Sequence, residues 1–229
     1  MLRYWTAGES HGKTLLALVD GFPAGLSIDT DAIDHDLRLR QGGYGRGGRQ
    51  KLETDRVEIL TGVWQGTTLG SPIALQVINR DYKLERLKEL QRPRPGHGDL
   101  TGAIKYLGSV RGILERASAR ETAVRVAAGS LAKQLLAQFG IQAVGYVAEL
   151  GGQPIAPVEA NIEEMRQRRD QSQIYSLRPE DDPKFIELID QTATDGDTLG
   201  GVLEVRVEGI PFGFGTHAQW DFLTIEIGS

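Results

Sequence analysis

Residues 113–139 read ILERASARETAVRVAAGSLAKQLLAQF, and this stretch decides the fold class. Ala117, Val124, Ala127, Ala128, Leu131, Leu135 and Leu136 recur at the three- and four-residue steps of one helical face. The pattern predicts one continuous helix, ended by Gly140. Its many alanines allow neighbouring elements to pack closely. Near its start Arg116 and Arg120 stand four apart and share a face, with the small residues Ala117, Ser118 and Ala119 between them. Cationic side chains there add to the pull of the helix dipole on an anion. The plainer account of both arginines is salt bridging to Glu115 and Glu121.

Outward from this helix the pattern alternates. Residues 141–150 read as a strand, 161–169 and 183–192 as amphipathic helices, and 201–210 as an edge or half-buried strand in which Val202, Leu203, Val205 and Val207 fall among charged residues. Upstream, residues 1–8 and 15–19 suggest a hairpin. Asp29 or Thr30 is placed to cap a helix over 31–40. Residues 57–63 and 73–78 read as strands, and 79–99 as a long polar loop. Hairpins mixed with helices point to an α+β fold.

The composition narrows the functional classes. The chain has 229 residues, 40% hydrophobic and 25% charged, an ordinary globular balance. No run approaches the roughly 18 apolar residues of a membrane span, and the N-terminus shows no secretory pattern. The absence of cysteine removes disulfides, thiolate metal sites and a cysteine nucleophile. The four histidines show no metal-ligand spacing. A net charge of −5 disfavours nucleic acid as a partner. Positive charge is nevertheless concentrated, with six Lys/Arg against two acids over 38–56 and ten against five over 80–120. Such focusing suits a small, highly anionic ligand, although two solvated basic loops would look the same.

Three further stretches carry candidate chemistry. Thr6-Ala7-Gly8-Glu9-Ser10-His11-Gly12 sets a histidine between glycines at a strand end, where backbone can approach a ligand and an imidazole can move protons; an ordinary turn with an incidental histidine is the alternative. Arg40-Gln41-Gly42-Gly43-Tyr44-Gly45-Arg46-Gly47-Gly48-Arg49 spaces three planar, bidentate cations through a glycine-rich chain. It is neither a phosphate-binding P-loop nor a dinucleotide fingerprint, and an RNA-touching arginine-glycine segment is its rival reading. Arg92-Pro93-Arg94-Pro95-Gly96-His97-Gly98-Asp99 is a stiffened loop ending in a histidine, with Asp99 a candidate helix cap. The inventory fits binding of a multiply charged anion with proton transfer to a leaving group.

These four elements, in this order, resemble the chorismate synthase family. The match covers Gly8 to Gly12, Arg40 to Arg49, Arg94 to Asp99 (with Gly98 where the family pattern has alanine) and Arg116 to Thr122. Similarity runs to about Asp221. The resemblance implies a homotetramer of β-α-β sandwich subunits, one domain over residues 1–229, in the cytoplasm or, with a transit peptide removed, the plastid stroma. It implies a 1,4-anti elimination of phosphate from 5-enolpyruvylshikimate 3-phosphate to give chorismate, with reduced FMN lending electron density and no net redox change. His97 would protonate or steady the reduced flavin, and His11 would act as general acid on the departing phosphate. Ser10, Arg40, Arg46, Arg49 and Arg120 would bind substrate. Arg116, Ala117 and Ser118 would contact flavin, and Arg40 and Arg46 match positions linked with NADPH in members that reduce their own flavin. After residue 221 the chain departs from the pattern, and the family's carboxyl-terminal third, with much of the flavin lining, is expected to be missing. A fragment that binds anions or oligomerises without catalysis is the alternative.

Overall fold

The computed structural model describes residues 2–47 and 53–214. Strand β1 (Arg3–Ala7) pairs antiparallel with β2 (Thr14–Asp20), as the hairpin reading expected. The central partner of β2 is β7 (Ile73–Ile78), and β4 (Val57–Ile59) closes the sheet in the order β1-β2-β7-β4. Alternation sorts its two faces. Leu15, Ala17, Val19, Ile73, Leu75 and Val77 are buried, whereas Leu16, Leu18 and Ile78 are exposed on the other side.

Helices cover the buried face. In α1 (Thr30–Gln41) Asp29 is the cap, its Oδ1 accepting the N–H groups of Asp31 and Ala32. Ile33 and Leu37 turn inward. Helix α4 (Thr122–Ala137) lays Val124, Ala127 and Leu131 on the sheet and packs against α1. It also touches β8 (Gln142–Leu150), the middle strand of a second sheet ordered β10-β8-β9, with β9 at Gln153–Pro154 and β10 at Gly201–Glu208. Helix α5 (Ile162–Gln171), capped by Asn161, packs on that sheet and meets α1 through His35 and Asp170. Sheet, helices and sheet therefore stack as an α+β sandwich. Helix α6 (Asp182–Asp195) follows. A small third sheet, ordered β3-β6-β5 (β3 Ala24–Ser27, β6 Thr67–Leu69, β5 Val63–Trp64), has strands too short for periodicity to mark.

The long helix expected over 113–139 is not continuous. It divides into α3 (Val110–Arg116) and α4, joined by extended Ser118 and a 3-10 turn over Ala119–Glu121. The physical reason is local competition. The Ser118 hydroxyl accepts the Arg120 N–H at 3.3 Å and begins a new helix inside the old one. Asp99 also differs from expectation. It is the first residue of α2 (Asp99–Tyr106) but gives that helix no side-chain cap, because its carboxylate is taken by Arg94.

Candidate active site

The break between α3 and α4 allows the site to form. After Arg116 the chain leaves the helical path where the turn after β1 and the end of β7 converge. Gly8 opens that turn at φ 109°, and a Cβ there would meet the Thr14 carbonyl at 2.4 Å, so only glycine fits. The Ser10 N–H donates to the Glu115 carbonyl at 2.9 Å. The Glu115 carboxylate, fully buried, accepts the His11 backbone N–H at 2.9 Å and lies 2.8 Å from the His11 Nδ1. His11 Nε2 lies 3.4 Å from Asp81 Oδ2.

Asn79, just past β7, ties this turn to the arginines. Its Nδ2 donates to the carbonyls of Gly12 (2.8 Å) and Glu9 (3.2 Å). Its Oδ1 accepts Arg120 Nε at 2.8 Å. Arg120 continues through Nη1 to Asp55 Oδ2 at 2.7 Å, and Arg40 Nη1 reaches the same oxygen at 3.4 Å. Glu53 lies 3.6 Å from Arg120 and accepts the N–H groups of Arg80 and Asp81. Two buried carboxylates thus face two guanidinium groups, which makes their burial tolerable. Arg40, Glu53, Ser118, Ala119 and Arg120 line a cleft of about 190 Å³. Arg120 Nη2, though buried, has no hydrogen-bond partner among the described residues.

A second cleft, about 280 Å³, lies between α2 and α3. Gly98, Lys105, Tyr106, Ile113, Arg116 and Ala117 are among its walls. Arg116 Nη2 is anchored on the carbonyl and hydroxyl of Thr6, each at 3.1 Å. Glu121 accepts from the Thr6 hydroxyl and from Arg125. Burial pushes the Glu121 carboxyl up, but these two hydrogen bonds outweigh it and hold it below its ordinary value.

The expected site residues therefore fall into groups. Ser10, His11, Arg40 and Arg120 are joined through Asn79 and Asp55. Arg116 and Ala117 share the second cleft with the His97 loop, while Ser118 lines the first. His97 is exposed, with Nδ1 3.2 Å from the Pro95 carbonyl. Arg46 is exposed and donates from Nε to Gly42 O within its own loop. Arg49 lies outside the described residues. Of the salt bridging to Glu115 and Glu121 weighed for both arginines, Arg116 reaches Glu121 at 3.8 Å, whereas Arg120 bridges Asp55 and Glu53. Glu53, Asp55, Asn79 and Asp81 were not singled out from the sequence, and Glu115 was named there only as a salt-bridge partner for the neighbouring arginines. Two acids inside a basic stretch were a usable signal for Glu53 and Asp55.

The loop carrying His97 is pinned by Arg94, whose Nε and backbone N–H reach one oxygen of Asp99 while Nη2 reaches the other. These bonds, the side-chain one first, hold the Asp99 carboxyl down to about 2, from an ordinary 3.8. A depressed acid stabilises fully above its unfolded value and loses that contribution as pH falls through the folded one. The loop should stay closed above about pH 4 and loosen as the pH approaches 2. Carboxyl-carbon NMR of Asp99 checks this, and a midpoint near 3.8 would show that Arg94 does not pin the loop.

A family model described as chorismate synthase matches residues 2–229. The chain belongs to the chorismate synthase family. The chorismate synthase of Enterococcus faecalis is 47% identical over 236 residues, covering 96% of this chain and 61% of the relative. That of Geotalea daltonii is 50% identical over 234 residues, covering 96% and 60%. A crystal structure of a chorismate synthase superposes with a TM-score of 0.79 at 41% identity, over 96% of this chain and 61% of that one. The α+β sandwich is thus the chorismate synthase fold, and the chain spans about 61% of the length of the relatives it matches. Among the described residues no helix is long and apolar enough to cross a membrane, and no acid or histidine cluster is arranged to hold a metal.

Proposed function

We propose that this chain takes part in the 1,4-anti elimination of phosphate from 5-enolpyruvylshikimate 3-phosphate, the lyase reaction that yields chorismate. The observation that carries the reading is the first cleft. A buried arginine lies there whose Nη2 makes no hydrogen bond among the described residues and meets the Glu53 carboxylate only at 3.6 Å, two hydrogen bonds from the histidine turn. An anionic oxygen is the natural partner for such a group. The substrate bears two carboxylates and a phosphate. Arg120 would take one of these groups, Ser10 would contact substrate from the His11 turn, and Arg46 and Arg49 would also bind it. Arg40 sends Nε to Thr122, Nη1 to Asp55 and Nη2 to the Ala119 carbonyl. Its contribution is to hold the cleft wall and add positive potential, and the reading includes no NADPH site on it.

In the reaction the carbon–oxygen bond to phosphate breaks with its electron pair leaving on the phosphate, and a ring hydrogen departs from the opposite face as a proton, its bonding pair completing the new ring double bond and a basic nitrogen of the flavin, where bound, able to take it up. His11 donates a proton to the departing oxygen. The second cleft fits one side of a flavin. It has an apolar wall at Ile113 and Ala117, an aromatic ring at Tyr106, and Lys105 and Arg116 as cations for a phosphate. Reduced FMN held there would lend electron density to the substrate and recover it. His97, at the rim, would exchange a proton with it, and Ser118 would separate the two clefts. Assembly into a homotetramer belongs to the same reading.

The test is an anaerobic incubation of the chain with chemically reduced FMN and the enolpyruvyl substrate, with calorimetry for binding. Chorismate and phosphate released in equal amounts are the expected result. Binding without turnover would leave an anion-binding member of the family, and the absence of both binding and turnover would overturn the proposal.

A further inference from the structure

We propose that Glu115 is a positioning residue for His11, holding the Nδ1 proton so that Nε2 is the atom that gives up its proton. The proposal rests on the reading of His11 as general acid. The geometry is one-sided. Glu115 Oε2 receives two donors from one residue, the His11 backbone N–H at 2.9 Å and the ring Nδ1 at 2.8 Å. Two bonds from the same residue to one oxygen fix both the turn and the ring angle. The carboxylate side chain is fully buried, whereas the His11 ring retains some exposure. An ionised carboxylate only accepts hydrogen bonds, so Nδ1 in this arrangement carries a proton. Arg111, 3.4 Å from the other Glu115 oxygen, offsets the buried charge.

The Nε2 side is built differently. Asp81 is partly exposed, lies farther away at 3.4 Å, and is held by Lys83 Nζ at 2.8 Å. An entering phosphate oxygen can take its place beside Nε2 without opening the core. When the carbon–oxygen bond breaks, the electron pair stays on the phosphate oxygen and the Nε2 proton moves to it. The imidazole is left neutral with its remaining proton on Nδ1, in the hydrogen bond to Glu115. A base holding a histidine in the required tautomer is a recurrent device in proton transfer.

The test uses the chain labelled with 15N in its histidine rings, at a pH where the His11 ring is neutral. The expected spectrum shows Nδ1 protonated and Nε2 bare. In Glu115→Leu no acceptor faces Nδ1, and the ring should lose its single tautomer, part of the proton moving to Nε2, while the backbone amide spectrum stays folded. Asp81→Asn should leave the Nδ1-protonated form in place, and so should Glu115→Gln, whose amide oxygen can still accept from the His11 N–H and Nδ1. Wild-type His11 with its neutral-state proton on Nε2 overturns the proposal, even should the leucine variant not fold. So does a Glu115→Leu spectrum that keeps the wild-type tautomer. Where turnover is measurable, Glu115→Leu should lower kcat by about 10²-fold or more with KM changed far less. An Nδ1-protonated ring in a chain that makes no chorismate would leave Glu115 as assigned and remove the proposed reaction instead.

Discussion

Asp55→Ala should destabilise the fold by about 3–5 kcal/mol, the scale for removing one partner from a buried ion cluster. The Asp55 side chain is fully enclosed and its Oδ2 is shared by Arg120 and Arg40. Without it Arg120 keeps Glu53 at 3.6 Å and Asn79, but a guanidinium nitrogen loses its 2.7 Å acceptor in a place water reaches poorly. Equilibrium urea unfolding measures the effect. Glu180→Ala, which removes an exposed partner of Arg178, should change stability by no more than about 0.5 kcal/mol. A loss below about 1 kcal/mol at Asp55 would mean that solvent enters the cleft and screens the cluster. Adding Arg120→Met to Asp55→Ala should recover part of the loss, because the uncompensated charge goes with it.

His11→Ala and His97→Ala should each lower chorismate formation by about 10²-fold or more, the usual effect of losing an acid–base group. Substrate binding should change less. The structure adds an asymmetry between them. His11 partners a buried carboxylate, so His11→Ala strands part of Glu115 and should also lower the melting temperature. His97 is exposed, and its ring reaches the Pro95 carbonyl in its own loop, so His97→Ala should melt as the wild type does. Unchanged turnover in both variants would remove both roles, and equal loss of stability would show that His97 is structural. Arg46→Ala is the companion measurement. An exposed arginine that bonds its own loop should matter to substrate binding and hardly to melting.

The two kinds of site residue were not equally legible in the sequence. Motifs with glycine or proline around a functional side chain could be read, because those residues mark backbone that must bend: the turn at Gly8, the loop ending at Asp99. Strands written as short apolar runs, such as Thr14–Asp20 and Ile73–Ile78, could also be read, though which of their residues face the core could not. Periodicity hid the helix break. Val124, Ala127 and Leu131 form an apolar face that extends smoothly back to Ala117, and the Ser118-x-x-Glu121 spacing, which often marks a helix start, was the local cue against continuity. Asn79 and Glu115 were beyond sequence reasoning for another reason. Their roles are defined by partners at 67 and 104 residues' distance, and nothing in their own neighbourhoods announces such partners.

That separation has a consequence during synthesis. The bond from the His11 amide to Glu115 spans 104 residues. Chains grow at about 5–20 residues per second, so roughly 5–20 s pass between the emergence of the histidine turn and that of its anchor. Throughout that interval β1 and β2 can pair as a hairpin, but the turn between them lacks the groups that shape it. The site is completed only when α3 arrives, and a nascent chain paused before Glu115 would display the Gly8–Gly12 motif without its geometry.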